Sequence, residues 1–331
     1  MMRHAVALRF LGVCCVVLCL ITGRAAAAEP AGPAGQALTQ EVKGGVLAGT
    51  LMLPAATGKM PVALIIAGSG PTDRDGNSTV PGFRSDSLKL LAAALAQQGI
   101  ASLRYDKRGI GASRAAMPSE SALRFDDYVD DAARWLATLK ADPRFSNVVV
   151  IGHSEGALIG MLAAANAGAD GFVSLAGIAD GFAVVLRKQL AGKIAPAQLA
   201  ESERILTALE HGATVADVPP GLAMLFRPSV QPYLISAMKY GPAERFAALR
   251  IPALIVQGET DVQVGVDQAV KLKAAKPDAL LVTIPGMNHA LKAATSDIAQ
   301  QKAAYGDPAL PLHPQLAPAI VGFIRGLAPA N

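Results

Sequence analysis

The tightest constraint on this chain is the run Gly152-His153-Ser154-Glu155-Gly156, which follows the β-branched stretch Asn147 to Ile151 and opens the apolar, alanine-rich stretch Ala157 to Ala165. To pass from a buried strand into a helix in so few residues the backbone must reverse sharply. That reversal puts the central residue in a strained conformation and needs glycine where strand and helix approach each other. The order strand, G-x-S-x-G, helix therefore predicts a nucleophile elbow with Ser154 as its nucleophile.

A serine hydroxyl is a poor nucleophile until a base takes its proton, so an acid and a histidine should follow on loops after later strands. The run Ile251 to Gly258 reads as a buried strand, and the loop after it carries Glu259 and Asp261. Asp261 has the G-x-x-D spacing from Gly258, whereas Glu259 lies directly against the strand end. The run Ala279 to Ile284 reads as the next strand and leads through Pro285-Gly286-Met287-Asn288 to His289. The expected triad is Ser154, Asp261 and His289, with Asp261 fixing the imidazole tautomer and stabilising the imidazolium. Of the other histidines, His4 lies in the leader, His153 packs within the elbow, and His211 and His313 read as surface or satisfied residues.

An oxyanion site needs two backbone donors. One is the N–H of Glu155, the residue after the nucleophile. The other comes from the loop that follows the apolar strand Val62 to Ile66, namely Ala67-Gly68-Ser69-Gly70-Pro71. Ser69 is the expected donor and Gly70 the alternative. The loop has neither a Walker lysine nor G-x-G-x-x-G spacing, which argues against phosphate binding.

Four blocks, AGSGPTDRDGN (67–77), RYDKRGIGAS (104–113), IGHSEGALIG (151–160) and the pair QGETDVQV (257–264) with PGMNHALK (285–292), span most of the chain. In these blocks the chain resembles bacterial secreted or periplasmic α/β-hydrolases related to small carboxylesterases and serine aminopeptidases. The resemblance implies the α/β-hydrolase fold and a serine hydrolase activity, with no substrate specified, because that scaffold serves esters, amides, lactones and thioesters. Asp106, Lys107 and Arg108 read as a tight turn with local ion pairing, and Asp73, Arg74 and Asp75 as braces for the oxyanion loop. The cluster Asp126, Asp127, Asp130 and Asp131 lacks the glycine and terminal glutamate of an EF-hand and reads as the acidic, solvated start of a helix.

Residues 1–28 carry Arg3 and Arg9 around the apolar run Phe10 to Ile21 and end in Ala25-Ala26-Ala27-Ala28. This pattern is that of a signal peptide cleaved near Ala28, too short in its apolar core for a bilayer span, so an exported protein, periplasmic or secreted, is expected. Cys14, Cys15 and Cys19 all fall in the leader. The mature chain would then have no disulfide, thiolate metal site or cysteine nucleophile. Loss of Arg3, Arg9 and Arg24 lowers the formal charge from +4 to +1, which leaves no nucleic-acid footprint.

From Val62 onward strand-like and helical runs alternate, predicting a mostly parallel central sheet with helices on both faces in one domain over residues 29–331. Helices are expected at Ser87 to Gln97, Tyr128 to Leu139, Glu155 to Ala165, Val266 to Ala275 and Gln315 to Gly326, and an antiparallel hairpin over Glu41 to Leu53. The interval at about 178–250 is too long for a simple crossover and reads as a helical cap insertion. Its Leu222, Met224, Leu225, Phe226, Tyr233, Leu234 and Met238 are candidate walls of an acyl pocket, or else pack the cap onto the main body. The expected protein is a cofactor-free, metal-free serine hydrolase acting on a small-molecule ester, with an aminopeptidase-like amidase and a non-catalytic binding protein as the alternatives.

Overall fold

The structure is a computed structural model that describes residues 35–55 and 58–328. The leader, its three cysteines and the expected cleavage site lie outside the described residues. The chain runs β1 (Gly35–Val42), β2 (Gly45–Met52), β3 (Met60–Ile66), α1 (Ser87–Gln97), β4 (Ala101–Tyr105), α2 (Phe125–Ala141), β5 (Phe145–His153), α3 (Glu155–Ala167) and β6 (Gly171–Leu175). Five helices follow: α4 (Phe182–Leu190), α5 (Pro196–Glu210), α6 (Ala223–Phe226), α7 (Gln231–Met238) and α8 (Pro242–Ala247). The chain then completes the sheet with β7 (Ala253–Gly258), α9 (Val266–Ala275) and β8 (Leu280–Ile284), and ends with α10 (Ile298–Gly306) and α11 (Leu316–Arg325).

The eight strands form one sheet in the order β1-β2-β4-β3-β5-β6-β7-β8, with β3 to β8 parallel and the β1–β2 hairpin antiparallel at one edge. Alternate residues of each central strand feed different cores. Val62, Leu64, Ile66, Val148 and Val150 point to one side with α2 and α3, and Ala63, Ile65, Val149 and Ile151 to the other with α1 and α11. Burial on both faces explains why these strands read as unbroken apolar runs. In α1 the buried positions Leu88, Leu91, Ala92 and Leu95 repeat at helical spacing and form the single stripe that faces the sheet.

The chain reverses direction across the sheet between β4 and β5, which flank β3. The crevice at the carboxyl ends of β3 and β5 is thereby left open, as at the switch point of any doubly wound sheet. The oxyanion loop leaves β3 there and Ser154 leaves β5 there.

Local expectations needed three corrections. The opening hairpin spans Gly35 to Met52 with its turn at Lys43-Gly44, so much of its first strand precedes Glu41. That strand is an edge with mostly exposed residues and carries no apolar run to mark it. Helix α2 begins at Phe125, which brings Asp126 and Asp127 into its first turn. Helix α10 went unpredicted, although Asp297 caps it by accepting from the Gln300 amide at 3.0 Å, a signal that Thr295-Ser296-Asp297 ahead of Ile298 carries in the sequence.

Glycine is sterically required at the elbow. A Cβ on Gly152 would lie 2.2 Å from the Gly156 carbonyl oxygen, and one on Gly156 would lie 2.4 Å from that of Ile66. A Cβ on Gly160, one turn later, would meet side-chain atoms rather than backbone, with the Val150 Cγ1 methyl at 2.7 Å and the Ile66 Cδ1 methyl at 3.2 Å. Gly160→Ala should therefore cost about 1–3 kcal/mol, the usual range for overpacking against a side chain that can move. Gly156→Ala should cost clearly more, read as the shift in urea midpoint at constant m-value. Equal losses in the two variants would contradict the backbone crowding described here.

Candidate active site

Ser154 stands between β5 and α3 with φ 55° and ψ −122°, a conformation that few non-glycine residues hold. Its amide donates to the Leu175 carbonyl at 2.9 Å, and its carbonyl accepts from Ala157 at 2.9 Å. Both contacts hold the turn while the side chain projects from its apex. Gly68 of the β3 loop packs directly on the elbow, where a Cβ would lie 3.2 Å from Ser154 Cβ and 3.3 Å from His153 Nδ1.

Asp261 follows β7 and His289 follows β8, and the structure joins them: His289 Nδ1 and Asp261 Oδ2 are 2.7 Å apart. Asp261 Oδ1 accepts from the amides of Gln263 at 2.8 Å and Val264 at 2.9 Å, and Gln257 Nε2 donates to Oδ2 at 3.3 Å. Burial alone would raise the pKa of this carboxyl, but His289 and the two amides outweigh it and hold the group below its ordinary value. An ionised Asp261 fixes Nδ1 of His289 as the protonated nitrogen and leaves Nε2 free to accept. Glu259, the other acid of this loop, donates its amide to the Ile284 carbonyl, and Asp261 is the carboxylate on His289.

His289 and Ser154 line one cavity of about 430 Å³, together with Thr72, Phe83, Gln263 and Tyr305. Among the described residues no hydrogen bond joins Ser154 Oγ to His289, a contact that often tightens only when substrate is bound. A second cavity of about 420 Å³ adjoins it, sharing Ser69, Ser154 and Leu225, and is walled by Ile178, Phe182, Val185, Leu186, Leu225 and Leu234. Ser69 and Glu155, the expected oxyanion donors, both border this second cavity beside Ser154, as does Gly70.

The interval 178–250 supplies much of this apolar wall, and Met224 and Leu234 of the expected residues are in it. Leu225 and Tyr233 line the cavity. Leu222 and Phe226, by contrast, are buried in the core below it, and Met238 packs against that same core. All three are large and apolar at the ends of short helices, where sequence cannot tell which side of a one-turn element faces the cavity. The Tyr233 hydroxyl is enclosed on the side of Glu155. Arg227 also borders the cavity, but Glu120 neutralises it, with Nε to Oε2 at 2.8 Å, and Glu120 accepts from Ser229 as well.

The charged turn after β4 differs from the local pairing expected of it, since each charge reaches far along the chain. Asp106 accepts from the Arg74 amide at 2.8 Å and its guanidinium at 2.7 Å, Lys107 bonds Glu155 at 3.0 Å, and Arg108 forks onto Asp131 at 2.6 and 2.7 Å. Asp131 is thus fully buried, in contrast to the solvated helix start expected of its cluster. Asp75 bonds Arg104 at 2.8 Å, so the loop after β3 is tied at two points to the strand and turn beside it. Three consecutive charges directly after a buried strand were the available clue, because such groups stay buried only when paired.

His153 lies against the base. The ring centroids of His153 and His289 are 4.7 Å apart, and His153 Nε2 sits 2.9 Å from the His289 carbonyl oxygen, which can only accept. Although the residue keeps some exposure to the cavity, burial of its ring and the neighbouring imidazole push its pKa down from 6.5 to about 3. An unfolded chain takes up this proton near pH 6.5 and the fold only near 3, so this site removes stability as pH falls across that window. The expected slope is about 1.4 kcal/mol per pH unit for one proton. His153→Gln should flatten the acid limb of stability between pH 6.5 and 3 by up to that slope, measured by urea unfolding at several pH values, and an unchanged limb would show that His153 is not held neutral.

Comparison with known proteins agrees with this geometry. Residues 82–295 match the sequence profile of the family described as serine aminopeptidase, S33. Esterase EstD of Thermotoga maritima is 28% identical over 246 residues, 73% of this chain, and the chain spans 57% of that relative's length. Among solved structures, Est1E from Butyrivibrio proteoclasticus is similar at a TM-score of 0.54 and 20% identity, covering 77% of this chain and 90% of that one. The esterase domain from a Rhodothermus marinus protein is similar at 0.53 and 19%, covering 88% and 99%. Both show the expected α/β-hydrolase fold, and because the profile match runs over more than half of the sequence, this chain belongs to the serine aminopeptidase S33 family of α/β-hydrolases.

Proposed function

We propose that the protein is an exported carboxylesterase that cleaves small to medium acyl esters through an acyl-enzyme on Ser154. Ser154 Oγ attacks the ester carbonyl carbon and passes its proton to His289 Nε2, while the N–H groups of Ser69 and Glu155 hold the developing oxyanion. His289 then gives the proton to the departing alcohol. Water repeats the sequence in reverse roles and frees the acid. The observation that carries this reading is the 2.7 Å Asp261–His289 contact on the same cavity as a serine held at φ 55°. Its esterase relative supports the same chemistry.

Because His289 must protonate the leaving group, the alcohol half belongs in the cavity that His289 lines and the acyl half in the apolar one. An aminopeptidase would need a free carboxylate to hold the substrate's α-ammonium. Among the described residues lining the two cavities Glu155 is the one carboxylate, and Lys107 engages it. Ester hydrolysis is therefore favoured over aminopeptidase activity. Export rests on the leader pattern of residues 1–28.

Ser154→Ala and His289→Ala should each lower kcat by at least about 10³-fold, as expected for members of one nucleophilic unit, with the melting temperature unchanged in Ser154→Ala and both variants still folded. Short p-nitrophenyl esters should be cleaved far faster than aminoacyl p-nitroanilides. Comparable kcat/KM on the two substrate types would support the aminopeptidase reading instead. Leu186→Trp, which fills the apolar cavity, should reduce kcat/KM on octanoate esters about tenfold or more and leave acetate esters nearly unaffected, whereas equal losses on both would remove Leu186 from the acyl wall.

A further inference from the structure

Lys107 is 1% exposed, its ammonium lies 5.0 Å from the centre of the Tyr128 ring, and it makes two polar contacts. Its Nζ donates to the Gly68 carbonyl at 2.6 Å and to Glu155 Oε2 at 3.0 Å. Nothing in the triad chemistry uses this buried cation. Both of its partners nevertheless belong to residues that carry, or adjoin, the two oxyanion donors.

The Gly68 carbonyl and the Ser69 N–H are the two ends of one planar trans peptide, so they point in opposite directions. Holding the carbonyl on Lys107 turns the Ser69 N–H away from that ammonium, and Ser69 and Ser154 border a common cavity. Glu155 is the first residue of α3, where backbone N–H groups have no partner within the helix, and its side chain is held by the same ammonium. One cation thus spans 39 residues to the β3 loop and 48 residues to the elbow. Among the described residues the ladder of β3 ends at Ile66 and gives Gly68 no strand partner, and Gly70, two residues on, sits at φ 71°. Without an anchor the Gly68–Ser69 peptide could rotate.

We propose that Lys107, with Glu155, is a positioning pair that sets the distance and direction of the two oxyanion donors, acting through the Gly68–Ser69 peptide and the first residue of α3. The two side chains act on the oxyanion only through the backbone they hold, and the Glu155 N–H is the part of the pair that meets it. The pair's role rests on the ester-cleaving role of Ser154 given above, and its effect is confined to states that carry negative charge on the former carbonyl oxygen.

Lys107→Met, Glu155→Gln and the double variant are compared on a p-nitrophenyl ester, with an alkyl trifluoromethyl ketone as mimic of the tetrahedral oxyanion. Lys107→Met should lower kcat about 10- to 100-fold with KM within about twofold, approaching the loss expected for one oxyanion donor. The trifluoromethyl ketone should bind more weakly by a similar factor. Lys107→Met leaves Glu155 buried without its partner and can destabilise the fold, so the double variant carries the decision. It should recover the wild-type melting temperature yet remain slow and bind the ketone weakly. Recovery of kcat together with stability would overturn the proposal, because the pair would then be structural only. So would a kcat loss with unchanged ketone affinity. Failure of a fluorophosphonate to label Ser154 in the wild-type protein would instead sink the hydrolase reading itself.

Discussion

The whole site depends on steric crowding where β5 turns into α3. Gly152 and Gly156 let the strand, the helix and the end of β3 approach to distances that a single methyl group would forbid. That proximity forces Ser154 into its unusual backbone angles and presses Gly68 of the oxyanion loop against it. That contact between backbones fixes the nucleophile and seats the oxyanion loop beside it, between the two apolar layers on either face of the sheet. Strain of this kind persists only where the surroundings over-determine it, and here a buried strand, an almost wholly buried helix and two hydrogen bonds on Ser154 do so.

Around that contact the structure uses buried charges as ties between distant segments. Asp106, Lys107 and Arg108 follow one another in sequence and diverge in space, to Arg74, Glu155 and Asp131. A buried ion pair gains little net stability over an apolar replacement, because desolvation offsets much of the attraction. What such pairs supply here is register: each fixes the position of a loop that no strand ladder holds. Asp106 also accepts from the Ala112 amide at 2.8 Å and lies where a Cβ on Gly111 would fall, 2.4 Å away, so the turn is shaped around its carboxylate.

Much of this was legible in the sequence wherever a feature had a strong local cause. The elbow, the parallel sheet and the positions of Asp261 and His289 follow from strand-like runs that end in short loops, and the structure puts Asp261 and His289 in contact. Features that depend on long-range partners were not legible. Asp131 looked like part of a solvated cluster because its partner, Arg108, lies 23 residues away. For Leu222, Phe226 and Met238 the sequence left open whether they wall the cavity or pack the core, because short helices have no periodicity long enough to define a face. Strand β1, whose outward residues are polar or small, gave no apolar signal, and its place comes from pairing with β2.

The second half of the helical insertion rests on a narrow seat. Arg227 and Ser229 reach Glu120, the Ser236 hydroxyl receives the Phe125 amide at 2.7 Å, and Tyr240 reaches Asp126. All of these ties land within residues 120–126, at the entrance to α2 and away from Ser154. The insertion's share of the apolar cavity wall is thus tied to Glu120, Phe125 and Asp126, none of which lines either cavity. Natural or laboratory evolution can retune chain-length selectivity by changing that seat, leaving the catalytic groups and the chamber's own lining untouched.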